Sequence, residues 1–120
     1  MSPADRYDRP TSSLEEIQSC VRAGRYSLVR RAEDDARRLG LLAAVPDCIC
    51  ALSDRRIQDG GHFFKSSEAQ HPPPEAAGLW HDVYKVEWEG TPLYVKLQMA
   101  RNGRTAVVIS FHEDTSWREP

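Results

Sequence analysis

The sequence predicts an α+β domain, with about three N-terminal helices packed on one face of a mostly antiparallel sheet. Three observations lead there. Residues 14–24 carry apolar side chains at helical spacing between a serine cap and a glycine stop. The second half of the chain alternates apolar and polar side chains at the period of a strand. Gly60-Gly61 separates the two regimes, so helices and strands are segregated along the chain.

The elements follow in order. In "TSSLEEIQSCVRAG", Ser12 or Ser13 can cap a helix, Glu15 and Glu16 sit in its first turn, and Gly24 stops it. Leu14, Ile17, Cys20 and Val21 form its apolar stripe. "YSLVRRAEDDARRLGL" predicts a second helix ending at Gly40. Opposite charges four residues apart in Arg30/Asp34, Arg31/Asp35, Glu33/Arg37 and Asp34/Arg38 make its arginine run a solvated face. "VPDCICALSDRRI" predicts a short third helix with Pro46 near its first turn. "HFFKSSEA" reads as a strand and "QHPPPEAAG" as a surface loop. "LWHDVYKVEWEG", "TPLYVKLQMA" and "RTAVVISFH" read as three further strands of a meander. Residues 1–11 are expected to be a flexible tail, 12–114 a single domain, and 115–120 a second tail.

Composition narrows the function classes. The 120 residues, 40% hydrophobic and 28% charged, suit one soluble domain. No apolar run is long enough to span a bilayer, and "MSPADRYDRPTSS" lacks a signal-peptide core, so a cytoplasmic protein without membrane contact is expected. The net charge of -2 counts against a nucleic-acid binder that works by bulk charge. The distribution is more informative. There are thirteen arginines but only three lysines, Lys65, Lys85 and Lys96, and these lie in the second half with all four histidines. Cys20, Cys48 and Cys50 are odd in number and lack a secretion signal, so they read as buried free thiols. Two residues apart on a helix, Cys48 and Cys50 make a poor metal pair, and the histidines have no compact ligand spacing. No metal or cofactor is expected.

In "YVKLQMARNGRTAVVISFH", Tyr94, Lys96 and Gln98 alternate with Val95, Leu97 and Met99. A two-residue Asn102-Gly103 turn would put the polar set on the face of Val107, Ile109 and Phe111. A three-residue loop, Arg101-Asn102-Gly103, instead groups Leu93, Val95, Leu97 and Met99 with Thr105, Val107, Ile109 and Phe111. Burial favours this second register, because a slip of one residue flips every side chain. A Gly90-Thr91 loop places Tyr84, Val86 and Trp88 on the same apolar face. The opposite face then carries His81, Val83, Lys85 and Glu87, then Tyr94, Lys96 and Gln98, then Val108, Ser110 and His112. Any open antiparallel sheet is polar where it meets water. Histidine and tyrosine beside lysine add something more specific, because together they can act as acid, base and anion clamp.

The ordered set "FFKSS", "WHDVY", "YVK" and "VISFH", preceded by "CVRAGR", "DDARRLGL" and "CICALSDRRI", resembles the MqsR toxins, the motility quorum-sensing regulator family. The resemblance covers roughly residues 14–113. It implies a RelE-like α+β fold and a metal-independent endoribonuclease that cuts mRNA, with a preference for GCU sites. It also implies an MqsA-like antitoxin as partner, with operator DNA reached only through that antitoxin. By motif, the family's active-site lysine falls on Lys65, its tyrosine on Tyr94, its glutamine on His81 and its terminal lysine on His112. Lys96 matches a further basic position.

Two of the four catalytic positions are therefore histidines. RNA cleaves when its 2′-OH attacks the adjacent phosphate, which requires a base, an acid and stabilisation of charge on phosphorus. Histidine, with an ordinary pKa of about 6.5, suits both proton steps. The sequence thus nominates His81 and His112 as acid and base in unassigned order, Lys65 and Tyr94 as further catalytic groups, and Lys85, Lys96 and Gln98 as substrate-binding groups. His62 and His71 read as structural, as do Asp82 and Tyr84. Two other classes remain open: a catalytically weak antitoxin-binding protein acting as a co-repressor, and a small-molecule-binding α+β domain.

Overall fold

The computed structural model describes residues 5–68 and 80–115. The proline-rich loop expected near residues 70–78, with His71, lies outside these residues, as does most of the expected C-terminal tail. Helix α1 (Leu14–Arg22) begins where Ser13 accepts a hydrogen bond from the Glu16 amide at 3.2 Å. It ends where the Arg25 amide donates to the Cys20 carbonyl at 2.8 Å and the Gly24 amide to Val21 at 3.0 Å. All four residues of its expected stripe are buried.

The expected second helix is shorter and starts later. Tyr26–Leu28 is instead a strand, β2, and helix α2 spans Arg30–Arg38. The β2 residues pair in parallel with Ala106, Val107 and Val108, a partner segment far along the chain that local helix signals could not reveal. In α2, Glu33 and Arg37 form the expected pair at 2.9 Å. Arg38 reaches Asp35 three residues back, at 3.3 Å. Helix α3 (Val45–Cys50) follows a 3₁₀ turn at Leu42–Ala44 and stops well before Ile57. Cys20 and Cys48 are buried as expected, Cys50 is half-buried, and all three are free.

The remaining strands are β1 (Asp5–Arg6), β3 (Phe63–Glu68), β4 (Trp80–Trp88), β5 (Thr91–Met99) and β6 (Ala106–Glu113). They form one sheet in the order β1-β3-β4-β5-β6-β2, antiparallel throughout except for β6 and β2. The N-terminal segment is thus not wholly a loose tail. Asp5 and Arg6 pair with Ser67 and Ser66, and Thr11 and Ser12 bind the Asp82 carboxylate. Inner-face Phe63, Tyr84, Val95 and Phe111 share one buried cluster with the stripe of α1, with Ala32 and Ala36 of α2, and with Val45, Cys48 and Ile49 of α3.

Both hairpin turns differ from expectation, with different consequences. The β4–β5 loop is Glu89-Gly90, not Gly90-Thr91, and both residues have positive φ (49° and 84°), the requirement of a type I′ turn. Moving the loop back one residue slides the pairing by an even number of places, so Tyr84, Val86 and Trp88 keep the inner face. The β5–β6 loop holds four residues, Arg101–Arg104, bracketed by an Ala100 amide bond to the Thr105 carbonyl at 2.8 Å. Gly103 adopts φ 69° there and donates to Ala100. That odd change reverses the faces of Ala106–Val108 relative to expectation. A β-bulge then restores them: Lys96 pairs with Ser110 but Leu97 with Val108, leaving Ile109 as the extra residue. Val108, not Val107, is therefore the inward valine. Val107 pairs with Gln98, and Ile109 lines the outer face beside Tyr94 and Lys96.

Candidate functional site

Alternation, these two turns, the bulge at Ile109 and a register shift between Phe63 and Lys65 decide which side chains meet on the outer face. Lys65 pairs with Val83, Val83 with Lys96, and Lys96 with Ser110. Directly opposed residues point to the same side of a sheet, so these four form a row across four strands. Lys85, Tyr94 and His112 form the next row along. Ser67 and His81 pair with each other on the far side of the first row.

Tyr94 and His112 stack, with ring centroids 5.0 Å apart and planes inclined by 13°. The Nδ1 atom of His112 lies 2.9 Å from the Glu113 carbonyl oxygen. A carbonyl only accepts, so in this bond Nδ1 carries the proton and Nε2 is the other ring nitrogen. Lys96 Nζ stands 5.8 Å from the Tyr94 ring centroid. A cavity of about 450 Å³ opens at this point, lined by Tyr94, Lys96, Ser110 and His112, by Ile109 of the bulge, by Val29 at the N-cap of α2 and by Arg31 and Asp35 within that helix.

The surroundings of each group shift its proton affinity. Burial pushes the His81 imidazole down to about 4, and the Lys96 charge adds to this against the opposing carboxylate of Asp82. His81 is therefore neutral at pH 7. Burial also holds Lys96 below the ordinary ammonium range, helped by the charge of Lys65. Lys65 moves the other way, because Asp5 accepts a hydrogen bond from it at 3.0 Å. Burial raises the Tyr94 phenol, with the Lys65 charge working against the rise.

Not every nominated residue joins this cluster. His81 and His112 are two strands and four residues apart, which by ordinary strand spacing separates their Cα atoms by roughly 16 Å. His81 is instead a neighbour of Lys96. Lys85 pairs with Asp114 at 3.3 Å and lies 4.2 Å from the Phe64 ring centroid. Gln98 is only 1% exposed. His62 is structural, as its sequence position suggests: its Nδ1 accepts from the Ser53 amide at 2.9 Å. Asp82 is fully buried on the inner face and accepts four hydrogen bonds, from the amide and hydroxyl of Thr11, the Ser12 amide and the Ser66 hydroxyl.

The structure adds three residues to the nominated set. Asp5 and Ser67 flank Lys65, and Arg31 faces the cavity from α2. Ser67 was legible in principle, since it lies two residues from Lys65 on the same strand. Arg31 belongs to the expected solvated face through a pair with Asp35, but Asp35 bonds Arg38 instead. Nothing local announced Asp5.

Fold and face together define a small α+β protein whose open sheet surface is built from ammonium groups, imidazoles and a phenol. Among the described residues no helix is long and apolar enough to cross a membrane. The family model described as motility quorum-sensing regulator, toxin of MqsA, matches residues 9–113, and the chain belongs to that family. Membership makes it a toxin of a toxin–antitoxin system. No curated protein matches the sequence.

Proposed function

We propose that this toxin is a RelE-like, metal-independent endoribonuclease acting on mRNA in the cytoplasm, at GCU-like sites by family resemblance. Its partner is an MqsA-like antitoxin, through which alone it reaches operator DNA. The observation that carries the reading is the Tyr94–His112 stack beside Lys96, a base-competent imidazole and a desolvated ammonium on one cavity. His112 Nε2 takes the proton of the attacking 2′-OH. Lys96, whose lowered pKa makes it a better acid, protonates the departing 5′-oxygen, and Lys65 neutralises charge on phosphorus. Tyr94 orients the phosphate or stacks on a base. Each proton-transfer group must lie within about 3 Å of its own oxygen. The separation of His81 from His112 supports a role for His81, a neutral acceptor at pH 7, at a neighbouring nucleotide rather than at the same phosphorus.

The test is incubation of purified protein with single-stranded RNA in EDTA. The expected products end in 2′,3′-cyclic phosphate, and an RNA with 2′-O-methyl groups stays intact. Cleavage only after addition of a divalent ion, or cleavage of the 2′-O-methyl RNA, overturns the mechanism. One observation favours the weak, antitoxin-binding alternative: two of the three lysines on this face, Lys65 and Lys85, already hold carboxylates. Growth arrest on regulated expression, abolished by Lys96→Ala, separates the two readings.

A further inference from the structure

Lys65 and Ser67 are alternate residues of β3, so both side chains rise from the outer face. They converge on one carboxylate. Lys65 Nζ donates to Oδ2 of Asp5 at 3.0 Å, and Ser67 Oγ donates to Oδ1 of Asp5 at 2.8 Å. Two donors on the two oxygens of one monoanion is also the arrangement that grips the two non-bridging oxygens of a phosphodiester, which carries the same charge. We propose that Lys65 and Ser67 form a phosphate-binding fork for single-stranded RNA, and that Asp5 occupies this fork as an intramolecular stand-in. The proposal rests on the reading of RNA as substrate and adds to it a second phosphate contact, Ser67, and a competitor built into the chain.

Three features make the competitor displaceable. Strand β1 has two residues and lies at the edge of the sheet. The Lys65 and Asp5 side chains are 24% and 30% exposed, and ion pairs this open to water contribute little. Asp5 also lies before the first residue matched by the family model, which begins at residue 9, so the strand that fills the fork stands outside the matched family segment. Arg6 over the Trp80 ring at 4.3 Å and Tyr7 against the Phe64 ring at 6.3 Å hold the segment in register through ring contacts that do not use the fork, although the Tyr7 hydroxyl also donates a long bond of 3.5 Å to Oδ2 of Asp5. An incoming phosphate can therefore expel the carboxylate while the ring contacts of Arg6 and Tyr7 remain.

The experiment measures binding of a short single-stranded DNA, which has the phosphates of RNA but no 2′-OH to attack, by fluorescence anisotropy at fixed low salt. The proteins are the full chain, Asp5→Asn, Asp5→Ala, Asp5→Asn with Ser67→Ala, and Asp8→Asn as a control for the change in net charge. If the fork is free in about a tenth of molecules, removing the Asp5 charge tightens apparent affinity about tenfold. Both Asp5 variants should show this gain, adding Ser67→Ala should remove it, and Asp8→Asn should behave as the parent. Unchanged affinity in both Asp5 variants, an equal gain in Asp8→Asn, or a gain that survives Ser67→Ala overturns the fork. Tightening without RNA cleavage by any variant leaves the fork standing and removes the ribonuclease reading. RNA cleavage with no Asp5 effect on binding does the reverse.

Discussion

Two polar clusters lie on opposite faces of the same strands, and they are built on opposite terms. On the inner face, the buried Asp82 carboxylate meets four donors, so its desolvation is offset and the segment before α1 is tied to β3 and β4. On the outer face the charges are less well met: Lys96 is desolvated and repelled by Lys65, and the half-buried His81 loses proton affinity through burial and the charge of Lys96. The first arrangement contributes to stability. The second stores unfavourable electrostatics, which a polyanion bound as proposed would relieve. The contrast is that inner-face polar groups hold the fold and outer-face ones do not.

The sharpest test is on the outer face. His112→Ala should lower single-turnover RNA cleavage by about 10²–10⁴-fold, the usual scale for a general acid–base group, with the urea midpoint unchanged. A large loss of stability in this variant would break the comparison, since it would make His112 a structural residue stacked on Tyr94. Next in size is Asp82→Ala, which leaves the buried Ser66 hydroxyl and the part-buried Thr11 and Ser12 donors without their acceptor and should cost about 3 kcal/mol in urea unfolding. An effect below about 1 kcal/mol would mean that these donors find water and that the inner cluster is not a clamp.

A smaller effect is the pH response of His81. Its folded pKa of about 4 lies below the ordinary value of 6.5, so the unfolded chain takes up a proton first. The stability this group contributes is complete above about pH 6.5 and is lost as pH falls towards 4. His81→Gln should flatten that part of the melting temperature against pH profile. A slope unchanged in the variant would assign the loss to other groups. Smallest of all, Arg37→Ala removes a pair with Glu33 whose side chains are 61% and 44% exposed. It should change stability by no more than about 0.5 kcal/mol, the scale of exposed helix pairs. A larger cost would show that α2 depends on its charged surface rather than on Ala32 and Ala36.

Legibility in the sequence followed the range of each interaction. Helix α1 could be read from end to end because Ser13, the glutamates, the stripe and Gly24 all act within a turn or two of one another. The outer-face positions of Tyr94, Lys96 and His112 could be read because alternation is a local property and an even slip in the β4–β5 turn leaves it intact, whereas Lys65 faces outward only through a register shift between Phe63 and Lys65 that alternation does not announce. The Ile109 bulge could not. A four-residue loop and an extra residue compensate each other, so the sequence pattern looked consistent with a shorter loop and put the wrong valine outward.

The sequence by itself therefore determined the class of the fold, the capped first helix, the polar face and the family resemblance, because each rests on local periodicity or an ordered set of short motifs. Only the tertiary structure decided that Tyr26–Leu28 is a strand, that His81 and His112 stand apart, and that Asp5 lies in the grip of Lys65 and Ser67. Each of these depends on strand partners many residues away in the chain, and such pairings are selected by burial and ladder hydrogen bonds across the whole sheet rather than by any neighbouring side chain.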